Sequence, residues 1–331
     1  MNALIIYFLV FTFGLSIISP AQTNGNIKNK SLKEILTIGL KDSELLLSAQ
    51  SVVQCDENFL FGTDKLSYSV KKFNNKGEKV GEIGKRGRKS GEFRGPANID
   101  YHKNFICVAD FASPRVQIFT KDFKHVKTFY TAGAIFDLAF DQNGFLWIGA
   151  LTGKKGKSLI KYDINNGKEI KTIPLKNTKG SNFVDDIFSF CITKKGNIAA
   201  VFSTLNKIEI WDTSGNFKYE FSVADLPSAP KKRKFSTGIF SKSVELPEGN
   251  IFFCVTADHN ENIFILGGDY SLNQYRDVYV CQLNGNQVST FTLPVKASYI
   301  KIDKDDNLLT IENKGTVIKK YSLPKIKTKT K

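Results

Sequence analysis

The chain has 331 residues, with 47 Lys and Arg against 32 Asp and Glu, a formal net charge of +15, 41% hydrophobic residues and 27 Phe. That much apolar side chain can bury a large core, which excludes a wholly disordered chain. Only one apolar run approaches the ~20 residues of a bilayer span, which excludes a multi-span membrane protein, and 5 Cys in this length exclude a disulfide-stapled miniprotein.

The apolar run comes first. Residues 3–18 carry no charge, and Ser19-Pro20-Ala21 places small residues at the −3 and −1 positions of a cut before Gln22. This is the pattern of a secretory signal over residues 1–21, followed by a leader over 22–30. The segment before the apolar run holds no Lys or Arg, so the alternative is an uncleaved membrane anchor. On either reading the chain is expected to be exported: periplasmic, secreted or tethered.

Downstream, one phrase recurs: an apolar strand, a polar turn with Asn or Gly, then a second apolar strand. It reads SVVQCDENFLFGT, ANIDYHKNFICVAD, FDLAFDQNGFLWIGA, FSFCITKKGNIAAVF, FFCVTADHNENIFILG and SYIKIDKDDNLLTIE. The turn residues Asn58, Asn104, Gly144, Gly196, Asn262 and Asn307 are spaced 40 to 66 residues apart. Asn and Gly suit turns that need positive φ. A third and a fourth strand follow each phrase, joined by hairpin signals such as NNKG and NNG. One unit is therefore a four-stranded antiparallel meander, the size of a propeller blade.

Six phrases predict an all-β, six-bladed β-propeller over residues 31–324, with a basic C-terminal tail at 325–331. The last phrase lacks a fourth strand. The unassigned segment SLKEILTIGL at 31–40 is expected to supply it and so remove the last open edge. The five Cys lie mostly inside apolar strands and read as small core residues.

One stretch carries more than the period. Residues 77–129 contain Gly91, Phe93 and Pro96, then Val108-Ala109-Asp110 and Arg115-Val116-Gln117-Ile118-Phe119. This wording resembles an NHL repeat, and the chain as a whole looks like the exported six-bladed NHL/TolB-like propellers of bacteria. The resemblance implies that Asp110 and Arg115 are structural, through a salt link or backbone contacts across the hairpin. It also implies functions ranging from scaffolds and ligand binders to metal-dependent lactonases and lyases, among which a fold does not choose.

The charge is uneven. In a meander blade, the second-to-third turns and the blade-to-blade crossings share one face. There the crossing 84–96 holds Lys85, Arg86, Arg88, Lys89 and Arg94 against Glu92. The turn 151–158 holds Lys154, Lys155 and Lys157, and the crossing 229–238 holds Lys231, Lys232, Arg233 and Lys234. The expected ligand-binding residues are Arg86, Arg88, Arg94, Lys154, Lys155, Lys232 and Arg233. The partner would be an acidic protein, an anionic glycan or a lipid surface; the plain alternative is ordinary solvated lysine. Nucleic acid is not expected of an exported chain, and a monomer is.

The runner-up is a hydrolase or lyase holding Ca²⁺ at a channel mouth through Asp137, Asp185 and Asp186. Asn98 and Asp100 stand nearby, and turn capping is the plainer role for such Asp residues. No other cofactor is expected. There is no G-x-S-x-G nucleophile motif, and His102 and His259 fall in turns where solvation is the simplest reading.

Overall fold

The computed structural model describes residues 32–39, 45–131, 133–152, 156–176, 187–224, 226, 227, 229, 232–236, 243–247, 249–267 and 276–323, with 232–236 and 243–247 described by backbone alone. Strand β1 spans Lys33–Ile38. Blade I is β2 (Ala49–Gln54), β3 (Leu60–Asp64), β4 (Ser69–Phe73) and β5 (Lys79–Ile83). Blade II is β6 (Pro96–His102), β7 (Phe105–Asp110), β8 (Arg115–Thr120) and β9 (His125–Tyr130). Blade III is β10 (Ala134–Phe140), β11 (Leu146–Thr152), β12 (Gly156–Asp163) and β13 (Lys168–Pro174). Blade IV is β14 (Phe188–Ile192), β15 (Asn197–Phe202), β16 (Leu205–Asp212) and β17 (Phe217–Phe221). A ribbon of β18 (Lys232–Ser236) and β19 (Ser243–Pro247) follows. Blade V is β20 (Phe252–Ala257), β21 (Asn262–Gly267), β22 (Asp277–Gln282) and β23 (Gln287–Thr292). Blade VI is β24 (Ala297–Ile302), β25 (Asn307–Glu312) and β26 (Val317–Ser322), completed by β1.

The molecule is thus a β-propeller of six four-stranded antiparallel blades, with no α-helix among the described residues. The first strands of successive blades touch in a closed ring: β2, β6, β10, β14, β20, β24 and back to β2. Closure works as the pattern of the chain suggests. β1 pairs antiparallel with β26, from Lys33↔Ser322 to Ile38↔Ile318, and Ile38 is 1% exposed. β1 thus gives blade VI its fourth, outermost strand and covers the edge of β26.

The second strands of the blades are apolar on both sides, as in NIAAVF and NIFILG, because each sheet packs both faces against neighbouring blades. One core cluster joins Cys107, Val116 and Ile118 of blade II to Ile135, Leu138 and Ile148 of blade III, and comparable clusters fill the other seams. All five Cys are buried free thiols.

The first-to-second turns use positive φ, though not always where expected. Asn58, Gly144 and Gly196 adopt it, while in the other blades Lys103, Glu261 and Asp306 do, one residue before the anticipated Asn. The displaced Asn residues hold the turn from the side: Asn262 Nδ2 donates to Asp258 at 2.8 Å, and Asn307 Nδ2 donates to Asp303 at 3.4 Å. Lys103 is followed by Asn104 at the same step.

The innermost strands carry β-bulges in five blades, among them Ile135/Asp137 in β10 and Ala297/Tyr299 in β24. A bulge re-aims the side chain at that point. Here it turns Asp137 and Tyr299 relative to the apolar alternation around them.

Candidate functional site

The crossing from β5 to β6 opens at Gly84, whose φ is +123°; an added Cβ would lie 2.4 Å from the Tyr68 carbonyl oxygen, so only glycine fits there. Three side chains of the β7–β8 hairpin then fix its backbone. Asp110 accepts the Arg94 N–H at 3.0 Å and the Gly95 N–H at 2.8 Å. Arg115 donates to Asp110 at 3.0 Å, to the Arg88 carbonyl at 2.5 Å and to the Glu92 carbonyl at 2.7 Å. Gln117 donates to the Glu92 carbonyl and accepts the Gly91 N–H, each at 2.8 Å. The Glu92 carboxylate folds back to accept the Arg88 and Lys89 N–H groups at 3.1 Å.

Phe93 anchors the loop. It is 0% exposed and its ring lies 6.1 Å from that of Phe119. Burial raises the Asp110 carboxyl above its ordinary value, against the pull of the Arg94 N–H and of Arg115. Both the salt link and the backbone contacts implied for Asp110 and Arg115 are therefore present, and their effect is to stiffen this crossing.

With its backbone committed inward, the crossing turns Arg86, Arg88 and Arg94 outward, and all three are exposed. The Arg86 guanidinium sits 5.7 Å from the centre of the Tyr68 ring, within cation–π reach. Lys85 is exposed and lies 3.6 Å from Glu92.

Blade I repeats the device with other residues. Asp64 ends β3 as Asp110 ends β7, and it accepts the Leu47 and Ser48 N–H groups at 2.8 and 3.0 Å. Its cation is Lys71, at 2.9 Å, standing where blade II has Gln117 in the register. The pair is almost fully buried, at 3% and 0% exposure.

The remaining predicted residues are distributed differently. Lys154, Lys155, Asp185 and Asp186 lie outside the described residues. Lys232 and Arg233 sit not on a plain crossing but on β18, paired with Pro247 and Leu246 of β19. Lys157 leaves the exposed cluster altogether: it is 1% exposed, with its ammonium 4.8 Å from the Phe202 ring centre.

In the channel, Asp137 is half-buried and fully engaged as an acceptor. It takes hydrogen bonds from Asn98 Nδ2 (3.0 Å), the Leu138 N–H (2.9 Å), Ser189 Oγ (2.6 Å) and the Phe190 N–H (3.2 Å). Burial raises its carboxyl above the ordinary value despite these donors. Deeper in, Asp100 accepts from Lys301 Nζ at 3.2 Å and from the Phe140 N–H at 2.8 Å. Lys301 and Ser189 carry no motif. Their one signal is a polar residue amid the apolar alternation of an innermost strand, as in SYIKID.

The turn residues are structural. Asp141 accepts the Asn143 and Phe145 N–H groups and the Trp147 indole N–H, and lies 3.1 Å from Lys161 Nζ. His259 is not merely solvated: its Nδ1 lies 2.7 Å from Asp306 of the next blade. His102 stacks near Phe140 at 5.5 Å, and burial lowers its pKa. Among the described residues, no group of three or more His, Cys, Asp or Glu is arranged to hold a metal ion.

No family model and no curated protein sequence matches this chain. Solved structures do share its fold. A streptogramin B lyase is 16% identical over 83% of this chain and 79% of its own, with a TM-score of 0.55. The virginiamycin B lyase of Staphylococcus aureus is 13% identical over 89% of this chain and 99% of its own, at 0.56. The U3-55K structure reaches a TM-score of 0.60 at 12% identity, over 88% of this chain and 100% of its own. At such identities the likeness establishes the β-propeller fold, which hosts unrelated functions.

Proposed function

We propose that this protein is an exported β-propeller that works as a binding or scaffold module, docking an acidic partner on the face that bears the β5–β6 crossing. The observation that carries this reading is the combination of a rigid backbone with exposed guanidinium groups at Arg86, Arg88 and Arg94. A planar guanidinium recognises carboxylate, sulfate or phosphate groups in a two-point fork. Holding three of them on a fixed loop lowers the entropy lost on binding. The docking surface we propose includes Lys154, Lys155, Lys232 and Arg233, which the order of strands in the sequence assigns to the same face. The partner is an acidic protein or an anionic glycan or lipid surface, met by one chain acting alone.

Reversing Arg86, Arg88, Lys232 and Arg233 to Glu is expected to abolish retention on an anionic matrix at low salt while leaving the melting temperature nearly unchanged. Equal retention of variant and parent would contradict the reading.

A second reading, a metal-dependent lyase or hydrolase centred on Asp137 with Asp185 and Asp186, is favoured by the partly exposed position of Asp137 on an innermost strand. It requires that Ca²⁺ displace the four donors that Asp137 now accepts. A calcium-dependent rise in melting temperature, lost in Asp137→Asn, would support it over the docking module.

A further inference from the structure

The arginine crossing leads into the first residues of an inner strand. At the other ends of those strands, on the opposite face of the ring, lies a cavity of about 290 Å³. That is the lower end of the ~300–1,000 Å³ of ligand pockets, room for a small molecule and not for a polymer. Ala139, Phe140 and Ala257 give it apolar walls, and Lys301, Asp100 and Thr256 give it polar ones.

The polar groups leave donors in excess. Lys301 Nζ donates to Asp100 Oδ1 at 3.2 Å and makes no second hydrogen bond among the described residues, so two of its three N–H directions are open. Its side chain is 25% exposed, toward the cavity it lines. Thr256 Oγ1 accepts the Ile302 N–H at 2.9 Å, which leaves its hydroxyl hydrogen to be donated. The carboxylates at the mouth are committed elsewhere. Asp258 accepts from the Asn260 and Asn262 N–H groups and from Asn262 Nδ2. Asp303 accepts from the Asp305 and Asn307 N–H groups and lies 2.6 Å from Lys320 Nζ. The rim adds exposed Lys194 and Lys304.

We propose that this cavity binds a small organic monocarboxylate, its carboxylate on Lys301 Nζ and Thr256 Oγ1 and its apolar part against Phe140 and Ala257. A low-dielectric surround strengthens the attraction of one ammonium for one carboxylate. A dianionic phosphate fits worse, because Asp100 stands beside the same ammonium and the walls are apolar. Burial opposes the Lys301 charge, but the carboxylates of Asp100 and Asp137 more than offset it, so its pKa is raised and it remains an ammonium. Its part is therefore that of an anion-binding group, not of an amine nucleophile.

Melting curves of the full chain with hexanoate, hexanamide and inorganic phosphate at matched ionic strength test this. Hexanoate is expected to raise the melting temperature with concentration, as a ligand of the native state must, with hexanamide and phosphate near flat. Two variants should lose the response independently. Lys301→Met with Asp100→Asn removes the ammonium together with the carboxylate it is bonded to, and Ala257→Phe fills the space while keeping both charges. If the double variant fails to fold, Ala257→Phe decides alone. An equal rise with hexanamide, a larger rise with phosphate, a response that survives in the folded variants, or no rise with hexanoate at tens of millimolar overturns the proposal.

Discussion

Arg115 and Asp110 face each other across the β7–β8 hairpin at 3.0 Å, 2% and 0% exposed, and the same guanidinium reaches two carbonyls of the crossing that bears Arg86, Arg88 and Arg94. One buried cation thus serves the blade and the loop together. Removing one partner of a buried pair costs about 3–5 kcal/mol, because the other charge is left uncompensated. Arg115→Met is expected to lower unfolding stability by about that much. Arg115→Lys should keep a cation beside Asp110 but lose the fork to Arg88 and Glu92. It is therefore expected to weaken retention on an anionic matrix more than it lowers the urea midpoint. Wild-type retention in Arg115→Lys would separate the loop's rigidity from its binding.

Asp64 offers a test by pH. Burial pushes its carboxyl up, but the Leu47 N–H, the Lys71 ammonium and the Ser67 N–H together hold it below the ordinary value. A depressed carboxyl contributes stability that is present above the unfolded pKa of about 3.9 and is lost as pH falls through the folded value. The melting temperature should therefore drop on acidification below about pH 4. In Asp64→Asn that acid slope should be shallower, and stability at neutral pH lower by about 3–5 kcal/mol, because Lys71 is left buried without its partner. An unchanged acid slope would show that other carboxylates govern the transition.

Ring closure by β1 rests on Ile38 and on the ladder to β26. Ile38→Ala is expected to cost about 2–5 kcal/mol. Its signature is local: amide exchange should rise first in Lys33–Ile38 and Val317–Ser322, with β10–β13 of blade III still protected. Uniform loss of protection around the ring would argue that the seam is not the weak point.

The thiols give a simple count. Cys55, Cys107, Cys191, Cys254 and Cys281 are all buried and free, and burial pushes the thiols of Cys191, Cys254 and Cys281 up to about 12. A thiol-reactive probe near neutral pH should label none rapidly in the native chain and all five after unfolding without reductant. A count of three on unfolding would reveal one disulfide.

The period of the strands was legible because a blade that packs both faces needs short apolar runs, and these must be broken by turns at fixed places. The missing fourth strand of blade VI pointed to residues 31–40 for the same reason: an open edge needs a partner. The ribbon β18–β19 was not legible as strands. It hides inside the longest spacing between turns, 66 residues from Gly196 to Asn262, where KKRKF reads first as a charged loop. Lys157 misled for a related reason: charge predicts exposure, but this lysine lies along the Phe202 ring.

The candidate site was legible only in part. Arg86, Arg88 and Arg94 could be placed on a face from strand order alone. Their rigidity could not, because it depends on Gln117 and Glu92, whose roles appear only when the hairpin folds under the crossing. Lys301 was missed because a single polar residue in an apolar strand has no spacing to announce it. Its partner Asp100 is some two hundred residues away in the chain.

The most direct measurement compares two triple reversals on the full chain. One changes Arg86, Arg88 and Arg94 to Glu. The other makes the same change in charge at exposed Lys103, Lys124 and Lys168, whose turns lie at the opposite end of the blades. Elution from an anionic matrix along a salt gradient, with melting curves alongside, is the readout. The arginine reversal is expected to flow through while the lysine reversal elutes only slightly earlier than the parent, all three melting alike. Equal shifts of the two reversals would mean that net charge alone sets retention, and would contradict a docking site on the β5–β6 crossing.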